Sequence, residues 1–393
     1  MIKEMEINCL KHFDQSIFIP NSDSKIINIL VQGQNAIRFK NSSYGIRWLR
    51  ENDPIHKDTA TGQRLSSPPN ENRLSIEFDY VKEKGTDLII KWSDKQDESI
   101  YSDSWLKHCV SLASAINSKY DNIAQPWLNS QWNIQGFRFD KTYSERDIID
   151  CLQKSGVVLL QNIQHEKLVE LAESFGPIYT TEYGKTHPSI AKPLNGIPDL
   201  SLSNSGCALS LHTDSTFRET PKLLQWLYCV ENKAKGGESI ISDSRIAIDI
   251  LKSEHTNAWN MLTSKTVQFY QYNETQRYIF SRNCPIIEVD DKTSDHKVNV
   301  SHKNLEWLLV SPDAEEWFSA YTLFFEILNS DRCSVRFRLK KGDCLIIQNW
   351  RILHARDTFE PDSGHRELDV FYQAWNYLEA RRNFIDFHGF VDN

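Results

Sequence analysis

Long hydrophobic runs are missing from this sequence. No apolar stretch of the 393 residues approaches the roughly 18 that a membrane-spanning helix needs; the longest, such as Val157-Val158-Leu159-Leu160, has the length of a strand. No C-x-x-C pair occurs among the eight cysteines, which are scattered from Cys9 to Cys344. That argues for reduced thiols in a cytosolic protein over a disulfide frame or a zinc ribbon. No basic block is present either. Lys plus Arg number 45 against 53 Asp plus Glu, a net charge of −8, so the clustered cations that neutralise phosphates are lacking and no nucleic-acid partner is expected. The opening MIKEMEINCLKHF places charges where a signal peptide would carry its apolar region. The expectation is a cytoplasmic protein with no membrane association. Repeats with a period of roughly 20–50 residues are absent, as are low-complexity tracts.

What remains is a chain that is 40% hydrophobic with 11 Trp, enough for two or three domains with ordinary cores. Residues 1–96 read as a small β domain, because IINILV, NAIRF, GIRWL, RLSIEFDYV and TDLIIKW alternate with turn clusters. Ile46 and Trp48 would share a strand face in it, with Ile76, Phe78 and Ile89 completing the core. Residues 97–132 read as a helix, around WLKHCVSLASAI, and a linker. From 133 to 393, Ser144 caps a helix bearing Ile148, Ile149 and Leu152 that ends at Ser155-Gly156; VVLLQNI follows as a buried strand and EKLVELAESFG as a second helix. Many short strands then surround one long helical segment, AEEWFSAYTLFFEIL. The pattern predicts a mainly β fold with flanking helices: an antiparallel jelly roll, or double-stranded β-helix, behind the small amino-terminal domain.

Three features of the last segment carry chemistry. His212-Thr213-Asp214 follows the strand-like CALSL, and side chains two apart on an extended chain point to one side. His354 follows the strand CLIIQNW, and Arg366 opens the strand RELDVFYQAW twelve residues later. A lone H-x-D in a chain with 12 His is unremarkable; the order of the three elements is what lifts it. Two His and one carboxylate leaving open positions are the ligand set of non-haem Fe(II) oxygenases. An Arg just beyond the distal His has the fork that grips a dicarboxylate.

The stretches HTDSTFRETPKLLQWLYCVENKAKGGESIISDS and NWRILHARDTF…GHRELDVFYQAWNYLEAR resemble the taurine/γ-butyrobetaine dioxygenase superfamily of 2-oxoglutarate-dependent oxygenases, most of all its γ-butyrobetaine and trimethyllysine dioxygenase branch. WLRENDP…TGQRL and WSDKQDESIYSDSWL resemble that branch's accessory domain, so the likeness runs from about residue 25 to 383. It implies that His212, Asp214 and His354 ligate iron, that Arg366 holds the distal carboxylate of 2-oxoglutarate, and that Ser239 of GGES reaches the same cosubstrate. Arg356 matches the Arg of the family's L-H-x-R pattern. The implied reaction consumes O2 and 2-oxoglutarate, releases succinate and CO2, and oxidises a C–H of a small molecule; hydroxylation, desaturation and ring formation all stay open. A true γ-butyrobetaine or trimethyllysine hydroxylase, and a catalytically inactive relative used as a binding protein, are the alternatives. The family also suggests a homodimer.

Two departures from the branch stand out. Its accessory domain binds zinc through three Cys and one His, whereas the matching positions here are Asp53, Ile55, Asp58 and Gln96, with His56 alone nearby. No structural zinc is expected. The branch also encloses trimethylammonium groups in an aromatic cage. Tyr183 and Tyr372 match two cage positions, but His187 and Asn204 stand at two others that are usually aromatic. A substrate with N–H, hydroxyl or carboxylate groups fits that set better than a methylated cation.

Overall fold

The computed structural model describes residues 36–58, 61, 63–65, 76–118, 138–139, 143–181, 184–190, 204–274, 277–290, 295–306 and 313–391. The chain divides into two compact units, residues 1–117 with 387–393, and residues 118–386. Tyr183, the expected strand IINILV and much of the expected linker lie outside the described residues.

In the amino-terminal unit, β1 (Ala36–Phe39) and β2 (Ser42–Gly45) form an antiparallel hairpin. Helix α1 (Ile46–Glu51) follows directly. This corrects the reading of GIRWL as a strand. Ile46 and Leu49, three apart, share one helical face; Leu49 is buried, while Trp48 is 37% exposed and stacks on Tyr44 and Trp105 instead of entering the core. A short apolar run fits either period, and packing decided between them. Strands β3 (Phe78–Lys84), β4 (Asp87–Trp92) and β5 (Ser99–Tyr101) make a three-stranded antiparallel sheet, followed by α2 (Asp103–Ser118). Ile37, Phe39, Leu49, Val81, Ile90 and Trp92 join in one core, against which Ile76 and Phe78 pack; Ile89 is buried too.

In the second unit β6 (Arg138–Phe139) precedes α3 (Glu145–Ser155). The helix opens on a capping box: Ser144 Oγ accepts from the Asp147 amide, and the Asp147 carboxylate accepts from the Ser144 amide. Gly156 closes it at φ 76°, as the sequence predicts. Then come β7 (Val157–Leu160), α4 (His165–Phe175), β8 (Ile178–Tyr179), β9 (His187–Ile190), β10 (Leu209–His212), β11 (Leu223–Asn232), β12 (Lys235–Gly236) and β13 (Ser239–Asp243). Helices α5 (Ser244–Glu254) and α6 (Thr256–Ser264) lead to β14 (Val267–Asn273), β15 (Tyr278–Cys284), β16 (Ile287–Val289), β17 (His296–Val298) and β18 (Leu305–Glu306). The segment AEEWFSAYTLFFEIL is α7 (Ala314–Asn329), as expected. The chain continues through β19 (Ser334–Phe337), β20 (Cys344–Gln348), β21 (Ile352–Arg356), β22 (Phe359–Glu360), β23 (Arg366–Ala374) and α8 (Trp375–Val391).

Two sheets position the site. One runs β6-β7-β20-β11-β23-β8, with β9 also on β23; the other runs β10-β21-β13-β19. From β10 to β11 and from β20 through β21 to β23 the chain passes back and forth between them, which is the double-stranded β-helix arrangement. The two-residue period explains the unbroken apolar run of β7. Val157 and Leu159 point into the core between the sheets, with Leu227, Ile241, Leu345 and Ile352. Val158 and Leu160 point the other way, under α3 and α4 with Leu152, Leu168 and Trp226. Each such side chain contributes about 1.5–3 kcal/mol through burial. A third core, around Phe269, Ile286, Trp317 and Phe324, joins α5–α7 to the strands β14 to β17.

Candidate active site

His212 ends β10 and His354 lies in β21, and the antiparallel register sets them directly opposite one another, their ring centroids 4.2 Å apart. Asp214 lies beyond the end of β10, in the turn before Ser215 (φ 61°). Its approach to His212 therefore comes from the turn and not from an extended strand. Thr213 pins that turn: its amide donates to Val300 O at 2.7 Å and its hydroxyl to Val298 O at 3.3 Å. Asn349 holds both main-chain groups of Asp214, accepting from its amide at 2.8 Å and donating to its carbonyl at 3.0 Å.

The result is a compact donor set. His212 Nε2 is 3.4 Å from Asp214 Oδ1 and His354 Nε2 is 3.8 Å from Asp214 Oδ2. The three potential ligand atoms all lie within 4.8 Å of one another, and among the described residues no other group of His, Cys, Asp and Glu draws as close. His212 Nδ1 lies 2.8 Å from Ser210 O, a bond that keeps the proton on Nδ1 and presents the Nε2 lone pair. Burial, with His212 alongside, pushes His354 down to about 3, so it is neutral and able to ligate at physiological pH. Burial opposes the ionisation of Asp214, yet the polar surroundings of its carboxyl outweigh this and hold it well below its usual range. Two imidazoles and one carboxylate suit a divalent iron.

These groups line a cavity of about 480 Å³ that also takes in Arg366, Arg356, Ser239 and Tyr372. Arg366 is 3% exposed, and its Nε has no hydrogen-bond partner. Among the described residues no carboxylate pairs with it; its guanidinium lies 5.2 Å from the centre of the Phe359 ring. Burial lowers it to about 10, so it stays cationic at neutral pH. A buried cation without a counter-charge is costly, and an incoming carboxylate would supply the missing partner. Arg356, lowered by burial to about 9, donates to the carbonyls of Ser205 and Cys207 at 2.6 Å each and so orders that loop.

Ser239 sits opposite Arg356 in the β13–β21 register. The Gly-Gly pair before it is a backbone requirement. Gly236 and Gly237 have φ of 78° and 77°, and a Cβ on Gly236 would lie 2.5 Å from Thr358 O. This close approach pairs β12 with β22.

The other expected substrate residues divide. Tyr372 lines the cavity, but its hydroxyl is already committed, donating to Asp214 Oδ2 at 2.8 Å. His187 lies in β9, its backbone opposite Val370. Asn204 is not among the described residues lining the cavity; its Oδ1 is buried without a partner. Sequence reasoning missed Gln225, whose Nε2 donates to Asp214 Oδ2 at 2.6 Å, as well as Asn349 and the cavity-lining Lys303. A signal for Gln225 existed: it is the one amide in the apolar run LLQWLYCV of β11. Nothing local marked the other two.

Comparison with known proteins agrees with this geometry. The chain is 28% identical over 298 residues to dioxygenase str8 of Strobilurus tenacellus, covering 72% of this chain and 68% of that protein. It is 28% identical over 351 residues to γ-butyrobetaine dioxygenase of Pseudomonas sp. (strain AK-1), covering 85% and 88%. It is 23% identical over 412 aligned positions to trimethyllysine dioxygenase of Meyerozyma guilliermondii, covering 95% and 96%. Residues 123–372, more than half of the chain, match the family described as taurine catabolism dioxygenase TauD, TfdA. That segment holds the three converging side chains His212, Asp214 and His354 and the unpaired Arg366, and the chain belongs to the TauD/TfdA dioxygenase family.

Proposed function

We propose that this protein is an Fe(II)- and 2-oxoglutarate-dependent oxygenase that oxidises a C–H of a small amine- or carboxylate-bearing metabolite. The observation that carries the reading is the convergence of His212, Asp214 and His354 beside a buried Arg366 that no carboxylate of the described residues neutralises. His212, Asp214 and His354 would hold the iron, and Arg366 with Ser239 would hold the distal carboxylate of 2-oxoglutarate. Bound there, iron with 2-oxoglutarate and O2 supplies the oxidation of the substrate C–H, with release of succinate and CO2. The chain's own groups bind and orient: the fork of Arg366 fixes the cosubstrate's direction, and the apolar walls Leu227, Leu345 and Val370 keep bulk water from the reacting face. Lys303 lines the cavity and has no ion pair among the described residues, which supports a substrate carrying an anionic group.

On the substrate side we assign Tyr183 and Tyr372 as flanking rings and His187 and Asn204 as polar contacts. The preferred substrate is then a primary or secondary amine or an amino-acid derivative in place of γ-butyrobetaine. The second reading, a γ-butyrobetaine or trimethyllysine hydroxylase, is favoured by the likeness to those two enzymes over most of the chain. The amino-terminal unit serves as a zinc-free accessory domain in a cytoplasmic homodimer. No helix among the described residues is long and apolar enough to cross a membrane.

Succinate formation on addition of Fe(II), 2-oxoglutarate and ascorbate tests the enzyme class. Its absence, with and without a panel of small amines and amino acids, would leave the inactive-relative reading standing.

A further inference from the structure

Residues Gln225 of β11 and Tyr372 of β23 face each other across the sheet. Both reach the same atom: Gln225 Nε2 donates to Asp214 Oδ2 at 2.6 Å and the Tyr372 hydroxyl donates to it at 2.8 Å. Asp214 Oδ1 faces His212 Nε2 at 3.4 Å and accepts from neither of these donors, while Oδ2 also lies 3.8 Å from His354 Nε2. We infer that Gln225 and Tyr372 are a positioning pair that reserves Oδ2 for hydrogen bonding and leaves Oδ1 as the single carboxylate ligand of the metal. This rests on the metal-centre reading above.

A carboxylate oxygen has two in-plane lone pairs, and two donors occupy both. Moving Oδ2 onto a metal would give up two charge-assisted bonds, the stronger class of hydrogen bond. The main chain cannot swing to compensate, because Asn349 holds the amide and carbonyl of Asp214 together. The composition of β11 supports the same view. Gln225 is buried, it is flanked along its strand by Leu223, Leu224, Trp226 and Leu227, and its Oε1 has no partner. A stranded amide oxygen is a cost that an apolar residue would avoid, so the bond made by Nε2 is the physical reason to have an amide there.

The consequence lies in the number of open positions. A six-coordinate ion held by two imidazoles and one carboxylate oxygen keeps about three positions open, two for a chelating cosubstrate and one for a further ligand. A chelating Asp214 would remove the last of these. The pair thus keeps the third position open without touching the metal.

Mn(II) added to the metal-free protein tests this without turnover. Water-proton relaxation counts the exchangeable waters on the bound ion, and calorimetry reports its affinity. The wild type is expected to hold Mn(II) with about three waters, falling to about one when 2-oxoglutarate is added. The double variant Gln225→Leu/Tyr372→Phe is expected to bind Mn(II) with about two waters and to keep about none once 2-oxoglutarate is present. A wild-type count near two, or a double variant that keeps the wild-type count, would overturn this inference alone. Failure of the wild type to bind Mn(II) would overturn the metal-centre reading and the inference with it. The wild-type count decides the matter if the double variant does not fold.

Discussion

Replacing Arg366 by Met separates the two things this guanidinium does. With 2-oxoglutarate bound, the substitution removes a charge-assisted, forked contact from a site that is nearly closed to solvent. A hydrogen bond to a charged group contributes about 1.5–3 kcal/mol, so losing the fork should cost roughly 3 kcal/mol, near a hundredfold in the 2-oxoglutarate KM. Arg366→Lys restores the charge but not the planar fork and should recover only part of that loss. Without cosubstrate the sign reverses. Arg366 is then a buried cation whose Nε has no partner and beside which no carboxylate of the described residues lies, so the Met variant should melt no lower than the wild type. Succinate release at varied 2-oxoglutarate gives the KM, and calorimetric melting of the cosubstrate-free protein gives the second quantity. A KM raised less than about threefold, about 0.7 kcal/mol, would refute the role assigned to Arg366. A large loss of stability in the free protein would refute the claim that it lacks a counter-charge.

His212→Ala and Asp214→Ala should each abolish succinate formation coupled to substrate oxidation, and full activity in the Asp214 variant would end the iron assignment. Metal analysis of the purified protein should find no tightly bound zinc. Asp53, fully buried, accepts from the Ile55 amide at 3.2 Å and from the Lys95 and Ser99 side chains. Asp53→Ala strands Lys95 and should cost about 3–5 kcal/mol in urea unfolding, whereas a variant indistinguishable from wild type would show that this cluster contributes nothing. Comparing kcat/KM for γ-butyrobetaine and trimethyllysine with that for primary and secondary amines and amino-acid derivatives should favour the latter. A tenfold preference for either methylated compound, about 1.4 kcal/mol, would reinstate the second reading.

The sequence by itself determined what depends on neighbours along the chain. Ser144 and Asp147 announce a helix start because a capping box spans four residues. VVLL announces a strand covered on both faces, and His212, Asp214 and His354 stand out as candidate ligands from their order and from the family likeness. Tertiary structure decided the rest. GIRWL is equally a strand or a helix until Leu49 finds the core and Trp48 does not. The facing of His212 and His354 is a property of the β10–β21 register, and the meeting of Gln225 and Tyr372 at one carboxylate oxygen is a property of the β11–β23 register. A one-residue slip in either pairing would turn these side chains to the opposite face. Local patterning specifies which elements form, but the register between distant strands is set only when the sheets close on their shared core, and the site is made of that register.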